Sequence, residues 1–382
     1  MATRAAKSSM KILVVASTRP NFVKVAPLME AFGQALKHHS GLTVKLVHAG
    51  QHYDDRMSRS FFEDLGLPSP DIELAIGSGS HAEQTGHTMI AFERKLIDEQ
   101  PDWVIVVGDV NSTLACALAA KKLGIKVAHV EAGLRSRDRT MPEEINRVAT
   151  DVLSDLLFTT DRGADANLRA EGVDSDRIHF VGNVMIDTLL KHKEQACALQ
   201  WWKHLGLEPG QYAVVTLHRP SNVDHREILT GICSALQTIQ GELPLVFPIH
   251  PRTRKMAITF GLLDSMSQWP NVQLLEPLSY LQMLSLTSNA AVIMCDSGGL
   301  QEEALVLGVP CLTLRDSTER PITVELGGSV LVGNKPETII AAVRSRLANG
   351  WPAMGCPELW DGAAAERIVR VLLERSCAEG FN

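Results

Sequence analysis

The 382-residue chain has no excess of positive charge: 37 Lys and Arg stand against 44 Asp and Glu, a formal charge of −7. That balance disfavours non-specific binding to nucleic acid, so no nucleic-acid partner is expected. No apolar run approaches the ~20 residues of a membrane span, so no membrane partner is expected. The run Ile12–Ser17 is too short for a secretory signal, and Arg19 follows it too soon. Residues 1–9 read as a disordered extension. The seven cysteines are an odd count without a Cys-x-x-Cys pair, and several sit in apolar runs such as AAVIMCD (290–296) and VPCLTL (309–314). Buried thiols in a reducing cytoplasm are expected. His48 and His52 are four apart, but His48 lies in a strand-like run where helical ligand spacing does not apply, and no metal is expected. The chain lacks a G-x-x-x-x-G-K-[ST] phosphate loop and a G-x-S-x-G elbow, which argues against a P-loop ATPase and an α/β hydrolase. GSGSHA (77–82) matches a dinucleotide fingerprint only formally. It is not in the first strand-to-helix turn, and the acid expected after it comes too late, so no nicotinamide cofactor is expected.

What is present is ordinary globular composition, 45% hydrophobic and 21% charged. Short apolar runs alternate with helical segments, the pattern of a parallel sheet covered on both faces. Strands are expected at 11–17, 42–50, 102–109, 126–132, 156–161 and 178–183. Helices are expected at 22–37, 81–99, 112–123, 142–153, 163–171 and 184–210. A second series has strands at 212–218, 244–250, 272–277, 290–296, 310–315 and 329–333, with helices near 224–240, 278–287, 299–307 and 335–348. An amphipathic helix closes the chain at 362–375. The fold class is α/β, with two similar doubly wound units, 10–183 and 184–361, and a ligand cleft expected between them.

In open α/β sheets, ligands bind beyond the carboxyl ends of strands. Polar groups crowd those ends here: Arg19 and Lys24 after the first strand, then Asp109, Glu131, His218 with Arg219, His250 with Arg252, and Asp296. In DSGGLQEEA (296–304), the Ser297-Gly298-Gly299 turn opens a helix with bare backbone N–H groups, an anion site reinforced by the helix dipole. Glu302 and Glu303 are expected in the first turn of that helix. MPEEINR (141–147) starts another, with Pro142 at its first position and Glu143 and Arg147 four apart. Asp109, Glu131 and Glu143 are candidates to converge opposite the phosphate site, where neighbouring carboxylates divide into acid and base. Arg19, Lys24, His218 and Arg320 are candidate cations for a departing phosphate. The chemistry suggested is proton abstraction from a nucleotide-linked substrate with a phosphate leaving group.

Ten motifs, in order along the chain, carry a resemblance: TRPNFVKVAPL (18–28), GQHYD (50–54), GDVNSTLA (108–115), HVEAGLRS (129–136), MPEEINR (141–147), GNVMIDTL (182–189), LHRPSNVD (217–224), HPRTR (250–254), DSGGLQEEA (296–304) and RDSTERP (315–321). Over residues 11 to 375 the sequence resembles the non-hydrolysing UDP-N-acetylglucosamine 2-epimerases. The resemblance implies a GT-B-like fold of two Rossmann-like domains, the first completed by the C-terminal helix 362–382. It implies a cytoplasmic homodimer that interconverts UDP-GlcNAc and UDP-ManNAc by anti elimination of UDP to 2-acetamidoglucal and re-addition, without cofactor or metal. It also assigns roles. Asp109, Glu131, Glu143 and His218 are the catalytic set. Ser297, Gly298, Gly299 and Glu303 hold the nucleotide, Glu303 through the ribose hydroxyls. Arg19, Lys24, His250, Arg252 and Arg320 face the diphosphate or sugar, and Arg147 and Arg135 orient the acids. Asn21 and Pro220-Ser221-Asn222 depart from the commoner family pattern. Gln51 is kept from the activator site of bacterial members, but Asp54 replaces its second Gln and 77–84 has no Arg, so activation by substrate is not carried over.

Overall fold

The computed structural model describes residues 9–50 and 62–378. The extension 1–8, Gln51 and Asp54 of the GQHYD motif, and the last four residues lie outside that range, as does the side chain of Arg19. The chain divides into two compact units, one made by residues up to Leu190 together with Glu358 onward, the other by Lys191–Pro357. The division falls inside the helix Val184–Leu199, a few residues beyond the expected 183/184.

Unit 1 is one parallel sheet. Its strands are β1 (Met10–Ala16), β2 (Leu42–His48), β3 (Ile72–Glu73), β4 (Trp103–Val107), β5 (Lys126–Ala132), β6 (Leu156–Thr159) and β7 (Ile178–Phe180). They lie in the order β3-β2-β1-β4-β5-β6-β7. β4 is buried at every position and β1 at all but one, because helices cover both faces. Unit 2 repeats the plan with β8 (Ala213–Thr216), β9 (Leu245–Pro248), β10 (Val272–Leu275), β11 (Val292–Cys295), β12 (Cys311–Thr313) and β13 (Ser329–Leu331), in the order β10-β9-β8-β11-β12-β13. Both are doubly wound, Rossmann-like sheets of a GT-B-like protein. Each reverses its strand order once, between β1 and β4 in unit 1 and between β8 and β11 in unit 2. Those reversals are where a ligand crevice opens.

The C-terminal helix Ala364–Ala378 packs on the helix Arg19–Ala35. Its approach is fixed by three devices. Gly182 sits at φ +90°, and a Cβ there would collide with the Leu359 carbonyl oxygen. Trp360 Nε1 donates to Thr160 O at 2.9 Å. Asp187 accepts from the N–H groups of Ala364 (3.1 Å) and Ala365 (2.7 Å), and its burial pushes its carboxyl up to about 6.

Several local expectations change. The segment 184–210 is two helices, Val184–Leu199 and Trp201–His204, broken at Gln200 in the left-handed region (φ +46°). The edge strand Ile72–Glu73 and the helices Pro220–Val223, Pro251–Phe260, Leu263–Met266 and Pro321–Glu325 were not expected. Among the described residues, no helix is long and apolar enough to cross a membrane.

Candidate active site

In unit 1 the site grows from the β1/β4 switch. β4 ends in Gly108 at φ +71°, a left-handed turn that Gly adopts without strain. A Cβ at Gly108 would lie 3.4–3.5 Å from Asn21 Nδ2, Glu131 Oε2 and Lys24 Nζ. One bare backbone atom thus brings three side chains to the foot of Asp109. Asn21 is held under this floor: its Nδ2 donates to Val107 O (3.0 Å) and its Oδ1 accepts from Ser17 Oγ (2.9 Å). Lys24 donates to Glu131, and both are buried.

Glu131 is a non-glycine residue at φ +74°, where β5 slips register against β6 between Val130 and Ala132. Such a conformation costs on the order of 1–3 kcal/mol and persists only where the surroundings enforce it, most often at functional sites. Here the bulge puts the Glu131 carboxylate onto Lys24.

The helix Pro142–Leu153 supplies the other supports. Asn146 Nδ2 donates to the Asp109 carbonyl at 2.9 Å. Arg147, only 2% exposed, pairs with Asp109 and, at 2.6 Å, with Glu144. Glu144 also accepts from Ser136 N (2.9 Å) and Arg137 N (2.8 Å). Burial works against its charge, but those N–H groups and Arg147 hold it below the usual carboxylate range. Arg147 bridges to Glu144 three residues away, in the interior. Asp109 and Glu131 each have a cation of their own, Arg147 and Lys24. Glu143, half-buried, lies in the first turn of the same helix.

In unit 2 the site is the β8/β11 switch. Asp296, fully buried at the end of β11, accepts from the backbone N–H groups of His218 (3.1 Å) and Arg219 (2.9 Å) and from Asn222 Nδ2 (3.1 Å). Its Oδ1 lies 2.9 Å from His218 Nδ1, and the His218 side chain is 39% exposed. Burial opposes the Asp296 charge, but the His218 ring and these N–H groups hold it below the usual value. Asp296 thereby directs Nε2 of His218 outward. The His250 ring stands 5.6 Å from that of His218, centroid to centroid. His250 Nδ1 accepts from Arg252 N at 3.2 Å, and the Arg252 guanidinium pairs with Asp224 at the surface.

Ser297 caps the helix Gly298–Leu307, accepting from Leu300 N. A Cβ on Gly298 would come within 2.4 Å of Glu319 Oε1, so any other residue has to displace that carboxylate. Glu319 is buried; despite that, Arg315 at 2.7 Å, with Arg320 and Arg219, drives its carboxyl far below the usual range. Sequence reasoning missed Glu319, although Arg315 and Arg320 flank it in RDSTERP; only Arg219, 100 residues away, is brought to it by the fold. Glu302 and Glu303 fall in the second turn, since the helix begins at Gly298. Glu302 is buried against Arg320 at 2.7 Å. Glu303, 8% exposed, accepts from Tyr280 Oη at 3.2 Å. Burial, with Glu302 adding repulsion, pushes Glu303 up to about 7 although Tyr280 acts the other way. Among the described residues, no cluster of three or more His, Cys, Asp or Glu is arranged to hold a metal.

Two switch-point sites, one rich in braced carboxylates and one opening on a glycine helix start, suit a nucleotide-linked substrate and proton transfer. The family model for UDP-N-acetylglucosamine 2-epimerase matches residues 34–373. The chain belongs to that family. A UDP-N-acetylglucosamine 2-epimerase of Methanocaldococcus jannaschii is 42% identical over 95% of this chain and 99% of its own. A crystal structure of the M. jannaschii enzyme in complex with UDP-GlcNAc and UDP matches with a TM-score of 0.87, covering 96% of this chain and all of that one. A UDP-2,3-diacetamido-2,3-dideoxy-D-glucuronate 2-epimerase of Pseudomonas aeruginosa is 41% identical over 95% of this chain and 99% of its own. Sucrose-phosphate synthase of Thermosynechococcus elongatus, at 13% identity and a TM-score of 0.60, shares the fold alone.

Proposed function

We propose that this epimerase-family chain interconverts UDP-GlcNAc and UDP-ManNAc by elimination and re-addition of UDP. The observation that carries the reading is Glu131, held at φ +74° on a bulge and braced by Lys24 beside the Gly108–Asp109 turn. A carboxylate kept in a costly conformation at a switch point is suited to a task other than packing. In the forward direction, one of Asp109, Glu131 and Glu143 takes the proton from C2 of the sugar. The C–H electron pair becomes the C1=C2 double bond, and the C1–O bond breaks toward UDP. For return, UDP oxygen attacks C1 and a proton is delivered to the other face of C2. Electrons stay within the substrate, so the chemistry needs no hydride carrier.

The nucleotide belongs at the Ser297-Gly298-Gly299 helix start, where N–H groups and the helix dipole meet the diphosphate. His250, His218 aimed by Asp296, and the cations Arg19, Arg252 and Arg320 are assigned to the leaving diphosphate, and Lys24 to the sugar side. Glu303 is assigned to the ribose hydroxyls, which would donate to its carboxylate as Tyr280 does. Arg147 and Arg135 keep the acids in place.

The reading includes the cytoplasm as its compartment: the six cysteines whose state is described are free thiols. It also includes a homodimer. Ile90 (51% exposed) and Ile97 (58%) lie seven residues apart on the helix His81–Glu99, an apolar stripe that a second copy would cover. Light scattering at micromolar protein tests this, and a monomer would remove it.

A second reading is favoured by the P. aeruginosa relative, 41% identical against 42% for the M. jannaschii enzyme: the substrate is a UDP-diacetamido uronate. NMR of the products decides. UDP-ManNAc from UDP-GlcNAc supports the first reading, and turnover of the diacetamido uronate alone supports the second. Free ManNAc with UDP would point to a hydrolysing relative. UDP with neither epimer would leave a GT-B transferase.

A further inference from the structure

Behind Asp109 and Glu131 lies a group that sequence reasoning passed over. His129 precedes Glu131 by two residues on β5 and is completely buried. Its Nε2 lies 2.8 Å from the Gly108 carbonyl oxygen, and its Nδ1 lies 2.6 Å from Asp151 Oδ1. A carbonyl and a carboxylate can only accept here, so both ring nitrogens donate. Asp151, also buried, uses its other oxygen to accept from Gly133 N at 3.1 Å and to pair with Arg135 Nη1 at 2.7 Å. Arg135 in turn grips Glu171 through two N–H groups, at 2.8 and 2.6 Å.

This chain touches the main chain at two places that matter. At Gly108 it holds the left-handed turn that presents Asp109. At Gly133 (φ +81°) it holds the exit of the bulge that forces Glu131 into its positive φ. We infer that His129 and Asp151 form a buried positioning pair that sets the Asp109 turn and the Glu131 bulge together, so that the two acids keep one geometry toward the sugar. The inference rests on the epimerase reading given above. Neither residue touches substrate. Charged groups near the pair include Arg135 with Glu171 beyond Asp151, and the Lys24–Glu131 pair that meets the far side of Gly108.

The test is steady-state kinetics with UDP-GlcNAc on His129→Gln, Asp151→Asn and the double variant, beside UDP binding by calorimetry and circular dichroism. The nucleotide is assigned to unit 2, so a unit 1 positioning defect should leave UDP affinity within about two-fold of wild type. Misplacing a reacting group by ~1 Å costs up to about 10²-fold, so kcat should fall at least ~10-fold in each single variant. The double variant should be no worse than the worse single, because the pair acts as a unit. Wild-type kcat in either folded variant overturns the inference. So does a parallel loss of kcat and UDP-binding sites, the signature of mere unfolding, or an additive double variant. Should His129→Gln not fold, Asp151→Asn, which keeps the shape of the side chain, decides alone. Should neither fold, the pair is a folding element and the inference falls. An inactive wild type would instead refute the epimerase reading.

Discussion

Acidification should weaken binding of UDP-GlcNAc through Glu303. This carboxyl is buried against Tyr280 and beside Glu302, and its proton leaves only at about pH 7. A ribose diol donates hydrogen bonds and therefore selects the ionised form. The folded-state value is raised, so affinity is full above pH 7 and is lost as pH falls through it. At pH 5.5 the ionised fraction is down to about 1 in 30, and Kd should rise ~30-fold relative to pH 8.5, or about 2 kcal/mol. UDP-GlcNAc is the right probe because its diester phosphates do not titrate in this range. Calorimetry from pH 5.5 to 8.5 should give a break near 7 with a slope of one decade per pH unit below it. Glu303→Gln should bind more weakly at pH 8.5 and lose the break, which separates Glu303 from His218. Tyr280→Phe removes a donor and should move the break up by roughly one pH unit. A flat profile in wild type, or the same break in Glu303→Gln, would refute the assignment of Glu303 to the nucleotide.

Arg147→Met should leave Glu144 and Asp109 without their shared cation, destabilising unit 1 by ~3–5 kcal/mol in denaturant unfolding. Gly298→Ala drives a methyl into the Glu319 carboxylate and should lower UDP affinity at least ~10-fold by calorimetry, since a shifted turn no longer aims its N–H groups. Asp296→Asn takes the carboxylate from behind His218 and should cut kcat at least ~10²-fold by coupled UDP-ManNAc assay.

Much of the fold was legible because parallel sheets buried on both faces print as apolar runs. The start of Pro142–Leu153 was readable from Pro142 at the first position, and the structure adds a capping box of Ser80 with Glu83 at the start of His81–Glu99. The helix Pro251–Phe260 was missed because its stretch is polar, although Pro251 at its start and Gly261 at its end are helix punctuation. Ile72–Glu73 is too short to leave a periodic signal. Within the sites, residues at strand ends were found by position alone: Asp109, Glu131, His218 and Asp296. Partners were not. His129–Asp151, Arg147–Asp109 and Arg219–Glu319 are 22, 38 and 100 residues apart, and only the sheet order brings them together. Positive φ at Glu131 was equally hidden, since nothing in KVAHVEA marks a bulge.

The central claim is that a carbon-bound hydrogen at C2 is exchanged during turnover. The direct measurement is proton NMR of UDP-GlcNAc incubated with the protein in D₂O. Deuterium should appear at C2 of UDP-ManNAc as it forms, and then in the recovered UDP-GlcNAc. Conversion to UDP-ManNAc with the original C2 proton retained would contradict the account.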